Sequence, residues 1–376
     1  IELRLIRNHK VKHSIKFSRF PTANCELPNV LNRIKYISTA MILILATVST
    51  AYAQSGGYSG EFSRMGFSPR GMAMGNAMTA VHHEGVYGYY NPALAAAPSE
   101  TVQVDLSTAA LQFDRRLHMV SSHFQLPPMA GLSVSLLNAR VNDIDGRNQS
   151  GYHTETLSTA EYQLIGNFGL RFSERFWGGI GLKYNLANYH PEVPKSQTIG
   201  IDIGIRALIS TRLTFAIAIK DLLSKSNFDT SDLYSTETAR GRSQAYPLRY
   251  LFGFAWEHSD RWLVSLDAEL RSQNGQRLLT NVEVINGFEQ VRTSRVEFSE
   301  QTRFLRLGSS YDLHERFTIR GGLQLNDIGA ENLLLPGGGF SLHLPFDRFS
   351  PSIDYALIQE PNKISIMHVF ALRLNM

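Results

Sequence analysis

The sequence predicts an all-β protein, a fourteen-stranded antiparallel transmembrane β-barrel with a small N-terminal helical hatch in its lumen. Three observations predict this fold class. Apolar and polar residues alternate with a period of two in stretch after stretch of residues 101–376. Many of these stretches are near the roughly 9–11 residues that a tilted membrane-crossing strand needs. Tight turns and long polar loops alternate between them, which is typical of outer-membrane barrels.

Residues 1–53 are predicted to be a leader that ends in a signal peptide over 33–53. Arg33 and Lys35 precede an apolar run of twelve residues, 37–48, and small residues follow it. Such a run is too short for a membrane-spanning helix, which needs ~20 residues, but it fits the apolar core of a signal peptide. The predicted cleavage residues are Ala51, Ala53 and Gln54. Residues 1–32 are expected to come from an over-extended reading frame.

The charge distribution separates the leader from the rest of the chain. The whole sequence has 37 Lys and Arg against 33 Asp and Glu. Eight of these bases and two of these acids lie in residues 1–53, which leaves 29 bases and 31 acids in residues 54–376, a net charge of −2. No nucleic-acid partner is expected, because such a partner requires a basic surface. Cys25, the single cysteine, is also in the leader, so residues 54–376 have no thiol for a disulfide or a metal.

Residues 54–100 are predicted to form the hatch. This stretch is rich in Gly, Met and Ala and lacks the alternation of the later segments. Residues 72–80 are expected to make a short helix, and Asn91-Pro92 is expected to end the hatch helix, because proline cannot continue one. Small residues allow close packing against other backbone, which suits a plug inside a barrel.

Residues 101–376 are predicted to form the barrel. In one segment Ile201 and Ile203 face one way, whereas Asp202 and Arg206 face the other. A soluble β-sandwich would give the same alternation, with its apolar faces in a core. The barrel is favoured because aromatic residues gather at segment ends, as in membrane-interface girdles. The fourteen predicted segments are 101–113, 115–125, 130–141, 156–172, 176–189, 198–209, 212–221, 245–258, 261–272, 300–312, 316–326, 338–345, 349–358 and 364–376.

The hatch contains a motif that resembles the N-terminal signature of the PorV/PorQ family, outer-membrane barrels related to FadL-type long-chain fatty-acid transporters. The residues that carry this resemblance are Arg70, Gly71, Met72, Met74, Gly75, Ala77, Asn91, Pro92 and Ala93. Where family members carry acidic residues between these two blocks, this chain has His82-His83-Glu84. The resemblance covers roughly residues 60–376. It implies an outer-membrane location and a fourteen-stranded barrel whose N-terminal hatch folds into the lumen.

Polar faces of the predicted strands supply the other candidate site residues. They are expected to face the lumen and to form a cross-barrel network of ion pairs, or to contact the hatch or a polar headgroup. These residues are Lys183, Asp202, Arg206, Asp267, Glu269, Arg306, Arg320, Asp354 and Arg373. No metal site is expected at His82-His83, because adjacent histidines on a helix point about 100° apart. No cofactor is expected, and Gly337-Gly338-Gly339 does not match a phosphate loop. No catalytic residue is expected either, since no Gly-x-Ser-x-Gly motif is present.

The resemblance implies two possible functions. One is a passage for hydrophobic compounds across the outer membrane, and the other is a component of type IX secretion. The expected partners are outer-membrane lipid, the barrel-assembly machinery, and either hydrophobic small molecules or exported proteins. A structural or adhesin-like barrel and a lipid-modifying barrel enzyme remain as alternatives.

Overall fold

The computed structural model describes residues 60–85, 88–99, 101–228, 242–285, 288–326, 328, 333–344, 346, 350–361 and 365–376. The predicted signal peptide and its cleavage residues, Ala51, Ala53 and Gln54, lie outside the described residues. The predicted reading-frame extension, residues 1–32, lies outside them as well.

Fourteen strands close into one antiparallel barrel, in which each strand pairs with its neighbours along the chain and the last strand pairs with the first. This confirms the predicted fold class. The barrel strands are β1 (Gln103–Ala110), β2 (Arg115–Leu126), β3 (Ala130–Arg147), β4 (His153–Arg171), β5 (Phe176–Asn188), β6 (Ser196–Ser210), β7 (Leu213–Leu222), β10 (Leu248–Ser259), β11 (Trp262–Ile285), β12 (Phe288–His314), β13 (Phe317–Asn326), β14 (Leu333–His343), β15 (Ser352–Gln359) and β16 (Ile366–Asn375). Between β7 and β10, β8 (Lys225–Phe228) and β9 (Arg242–Ala245) form a separate two-stranded sheet.

The two faces of the barrel wall have opposite chemistry. In β6, Ile199 is 61% exposed on the outer face, whereas Asp202 and Arg206 are buried on the inner face. Large apolar side chains are exposed around the outside, as lipid contact requires. Aromatic side chains, among them Phe172 and Trp262, are exposed beside the short turns. Among the described helices, none is long and apolar enough to cross a bilayer.

Two hairpins are longer than the alternation predicts. Residues 273–299 were expected to be a loop, but β11 and β12 stay paired from Trp262↔Tyr311 to Ile285↔Phe288. Similarly, β3 and β4 extend to Arg147↔His153. Hydrophobic alternation detects a strand by its apolar face, and polar residues interrupt that face where each extension begins, at Gln273-Asn274 and at Asn142-Asp143. Their backbone bonds are satisfied within the hairpin, so strand structure continues without that face.

The segment from Gly60 to Ser99 is called the hatch below, and its described residues, 60–85 and 88–99, contain three short helical elements. They are a 3₁₀ helix at Glu61–Arg64, helix α1 at Ser68–Ala73 and a 3₁₀ helix at Pro92–Ala96. The prediction of a helix over residues 72–80 is wrong, because α1 ends at Ala73. Gly75 has a φ of 62°, and the backbone N–H groups of Gly75 and Asn76 donate to Met72 O and Gly71 O. This is a Schellman C-cap, which favours glycine at that position.

Asn91-Pro92 begins a helix rather than ending one. The Asn91 side chain accepts a hydrogen bond from Ala93 N (3.0 Å), and Pro92 occupies the first helical position. Asparagine is a favoured N-cap, and proline fits the first turn because its missing N–H would have no helical partner there. The predicted helix-ending role of this pair is therefore wrong.

Candidate functional site: the plugged lumen

The hatch occupies the inside of the barrel. Helix α1 contacts β13–β16 and β1, whereas the 3₁₀ helix Pro92–Ala96 contacts β2–β6. Thr79, between them, donates to Asp267 on β11. A segment this short can reach opposite walls of a closed barrel only from within its lumen.

Glycines on the inner wall let the hatch backbone approach closely. A Cβ atom added at Gly131 would lie 1.9 Å from Ala95 O, and one at Gly322 would lie 2.2 Å from Gly75 N. Both distances are far below van der Waals contact, so a side chain at either position would force the hatch away from the wall. The hatch can therefore occupy its observed position only because these wall residues are glycines.

One group of ion pairs joins the hatch to β13 and β15. Arg70 on α1 donates from Nε to Asp354 Oδ2 (3.0 Å) and from Nη2 to Ser352 Oγ (2.7 Å). Glu84 accepts from Arg320, with Oε2 lying 2.6 Å from Nη2 and 2.8 Å from Nε. All four charged side chains are buried. The hatch therefore contributes one cation and one anion to a shared buried network.

The same network continues to β16 and β1. Arg373 donates from Nε to Asp105 Oδ1 (2.6 Å) and from Nη1 to the backbone carbonyl of Glu84 (2.6 Å). Burial by itself raises the pKa of the Glu84 carboxyl, but the guanidinium groups of Arg320 and Arg70 outweigh burial and hold this pKa at about 2. Glu84 is therefore ionised at neutral pH.

A second network of buried charges crosses β5–β12. Lys183 bridges Asp202 (2.8 Å) and Asp221 (2.7 Å), and Arg249 lies 3.0 Å from Asp221. Further along, Glu269 accepts from Arg271 and from Arg306. Its ion pairs include Lys183–Asp202, Lys183–Asp221, Lys220–Asp202, Arg249–Asp221, Arg249–Glu269, Arg271–Glu269, Arg271–Glu61 and Arg306–Glu269.

The structure places all nine of the polar candidate residues in the interior, with buried side chains. Their placement is Lys183 on β5, Asp202 and Arg206 on β6, Asp267 and Glu269 on β11, Arg306 on β12, Arg320 on β13, Asp354 on β15 and Arg373 on β16. The hatch-motif residues are buried as well, and Arg70, Gly75 and Asn91 make the contacts described above.

Lys220 and Asp221 are two interior charges that sequence reasoning missed. Adjacent residues of a regular strand point to opposite faces, yet both side chains are buried. The register of β6 and β7 shifts between Ile201 and Ile203, and Asp221 has a φ of 67°. This irregularity turns both side chains inward, and Lys220 Nζ donates to the backbone carbonyl of Tyr89 in the hatch. Simple alternation cannot predict such a bulge.

One part of the lumen wall is apolar. It lies on the long-loop half of β15, β16, β1, β2 and β3, and its side chains form one cluster with Phe62, Phe67 and Met72 of the hatch. We call this surface the apolar arc; it consists of Ala109, Leu111, Leu117, Met119, Leu137, Ala139, Ala356, Ile358, Met367 and Val369. At its long-loop end, Arg115 Nη1 donates to the buried Glu360 Oε1 (2.5 Å). An ion pair thus closes the arc on the side of the long loops.

His82 and His83 lie at the opposite, short-turn end of the lumen. Their rings are 3.6 Å apart, and Arg206 Nη2 donates to His82 Nδ1 (3.1 Å). Burial is the main cause that lowers the pKa of both imidazoles, so both are neutral at pH 7. The premise that excluded a metal site here is wrong, because neither residue lies in a helix.

Comparison with solved structures identifies the fold. The toluene transporter TodX of Pseudomonas putida superposes with a TM-score of 0.54 at 10% identity, over 82% of this chain and 96% of that one. The monoaromatic hydrocarbon channel CymD gives 0.53 at 13% identity, over 83% and 97%. A FadL homologue from Pseudomonas aeruginosa gives 0.53 at 10% identity, over 82% and 97%. The chain has the FadL/TodX-type barrel fold.

This fold is that of an outer-membrane β-barrel, and the apolar outer surface of the chain agrees with it. No protein-family model matches the sequence. No curated protein matches it either. At these levels of identity, the likeness extends to the arrangement of strands and not to individual site residues.

Proposed function

We propose that the chain is an outer-membrane passage for hydrophobic compounds. The observation that carries this proposal is the apolar arc, a continuous apolar surface inside a lumen that elsewhere holds networks of buried charges. Apolar side chains that line a lumen favour the binding of an apolar solute, because solute and wall then remove each other's apolar surface from water. Two barrels of the same fold are a toluene transporter and a monoaromatic hydrocarbon channel, which supports this class of solute.

The packing of the arc suggests how a solute could enter. Met119 and Met367 of the wall belong to the same cluster as Met72, Met74 and Met78 of the hatch. Methionine side chains are unbranched and adaptable, so they can repack around an apolar molecule at low cost. We therefore propose that a compound binds between the arc and the hatch after a small displacement of these side chains.

The test changes the polarity of the arc without changing its size. Met119→Gln places an amide in the apolar cluster, and an unsatisfied amide costs about 1–3 kcal/mol. We expect hydrocarbon binding, measured by native mass spectrometry, and hydrocarbon uptake into liposomes to fall about tenfold or more. Ser121→Ala is the control, because Ser121 is an inward-facing residue of the same strand that bonds Ser135 outside the apolar cluster. Equal uptake by both variants would refute the proposal.

A role as a PorV/PorQ-type component of type IX secretion is the second candidate. The hatch motif favours it, because Arg70, Gly75 and Asn91 of the motif are among the residues that fix the hatch to the wall. Under either function we propose a leader over 1–53, a hatch over 54–100 and a barrel over 101–376. Deletion of the gene followed by proteomics of the medium tests the secretion role. An unchanged set of exported proteins would refute it and leave the passage proposal intact.

A further inference from the structure

Three potential metal ligands meet at the short-turn end of the lumen. His82, His83 and Glu257 each offer one ligand atom, and these atoms lie within 4.8 Å of one another. The two histidines belong to the hatch, whereas Glu257 belongs to β10 of the wall. We propose that these three residues bind a divalent transition-metal ion of the zinc class, which joins the hatch to the barrel. This site is independent of the passage function proposed above.

The distances suit a tetrahedral ion. Bonds of about 2.0–2.1 Å from Zn²⁺ to nitrogen or oxygen place the ligand atoms of a tetrahedron about 3.4 Å apart. His83 Nε2 lies 3.5 Å from Glu257 Oε1, which is already this separation. The remaining atoms must close by about 1.4 Å at most, since 4.8 Å is the upper limit of their separation.

The ligand chemistry also suits a zinc-class ion. Two imidazoles and one carboxylate form a common three-ligand set in which a fourth position is left for water. The His83 side chain is 49% exposed, so an ion can enter from the solvent at this end. Adjacent histidines can serve one ion here because residues 82 and 83 are in a non-helical turn, with their rings at an interplanar angle of 47°.

Arg206 is the competing group. Its guanidinium donates to His82 Nδ1 (3.1 Å) and lies over the Trp177 ring, 4.1 Å from the centroid. An ion that takes the His82 ring must displace this cation or share the ring with it. Removing the charge at position 206 should therefore increase the affinity for the metal. If the two histidines had only a structural role, this substitution would not change metal binding.

The experiment is a titration of the purified full-length barrel in detergent with Co²⁺ alone, followed by displacement with Zn²⁺. We expect one Co²⁺ per chain with the visible absorption of a tetrahedral complex. His83→Ala and Glu257→Gln each should weaken binding about tenfold or more. Arg206→Gln should strengthen it. His153→Ala is the control, because His153 is an exposed imidazole with a carboxylate neighbour, Asp145 (2.6 Å), outside the proposed site.

Circular dichroism and the heat-dependent gel mobility of each variant establish that the barrel is folded. If the folded His83→Ala and Glu257→Gln variants bind Co²⁺ as the unchanged chain does, the proposal is overturned. It is also overturned if the unchanged chain gives no tetrahedral absorption, or if His153→Ala abolishes the signal.

Discussion

Replacing Glu84 by glutamine should loosen the hatch by about 3 kcal/mol at pH 7. The carboxylate is held at a pKa of about 2 instead of the usual 4.5, which corresponds to about 3 kcal/mol of stabilisation of its charged form. Glutamine keeps the shape but removes that charge, so Arg320 is left buried beside Arg70 without its counter-ion. Breaking a buried ion pair by removing one partner costs about 3–5 kcal/mol in other proteins, which agrees with this value.

The same group predicts how acid acts on the hatch. Because the pKa of Glu84 is lower in the folded hatch than in an unfolded one, its contribution is fully present above pH 4.5. It is lost as the pH falls from about 4.5 to about 2. The Glu84→Gln variant lacks this contribution at every pH, so the difference between the two proteins should disappear near pH 2.

Hydrogen exchange resolved by mass spectrometry measures this effect directly. Peptides from residues 60–99 should exchange faster in Glu84→Gln, whereas peptides from the barrel strands should not change. Glu61→Gln is the matched control, since it removes the same charge from the hatch at a side chain that is 51% exposed, where it pairs with Arg64 and Arg271. Because water reaches the Glu61 carboxylate, the loss of its pairs should cost about 1 kcal/mol, so this variant should exchange more slowly than Glu84→Gln.

Two results would contradict this reasoning. Equal hatch exchange in Glu84→Gln and Glu61→Gln would mean that burial of the ion pair does not stabilise the hatch. An undiminished difference between Glu84→Gln and the unchanged protein at pH 2 would mean that the charge of this carboxylate is not the cause.

Two further predictions concern the wall itself. Gly322→Ala should displace the hatch and cost about 1–3 kcal/mol of stability, because the new Cβ would overlap the hatch backbone. Gly321→Ala is its control and should be neutral, because no atom lies within 4 Å of a Cβ added there. Protease cleavage of the hatch compares the two variants. Leu182→Arg should destabilise the barrel by about 2–4 kcal/mol, because this outward side chain faces lipid. Tyr152→Arg, in the loop after β3, should leave the stability of the barrel unchanged. Unfolding by urea in liposomes measures the stability of both variants.

The barrel was predictable because the same alternation of apolar and polar residues recurs in strand after strand. A strand with lipid on one side and a crowded lumen on the other must alternate, so Ile201 and Asp202 are informative even without a structure. The same rule fails where polar residues interrupt the apolar face of a strand, as at Gln273-Asn274 in the hairpin of β11 and β12. It also fails at Lys220 and Asp221, where a bulge changes the facing of two adjacent residues.

The hatch was less predictable because its structure depends on contacts with the wall. Met72–Ala80 has the composition of a helix, but Gly75 caps α1 early and its backbone then packs against Leu323. The apolar arc was missed for a related reason. Inward-facing Leu117 and Met119 are apolar residues like those that face lipid. Only the register of the closed sheet shows that they face the lumen.

The order of groups along the barrel axis links hatch stability to passage. Under the proposed passage function, a solute from the long-loop end would meet the Arg115–Glu360 pair, then the apolar arc and then the charged layer around Glu84. An apolar compound in the arc cannot cross that layer cheaply while its charges are fixed, because it would separate ions without solvating them. If the route runs past this layer, Glu84→Gln should raise hydrocarbon uptake into liposomes while it loosens the hatch. If hatch exchange rises but uptake stays the same, then the compound leaves the arc without passing Glu84, and the charged layer is not a barrier on its route.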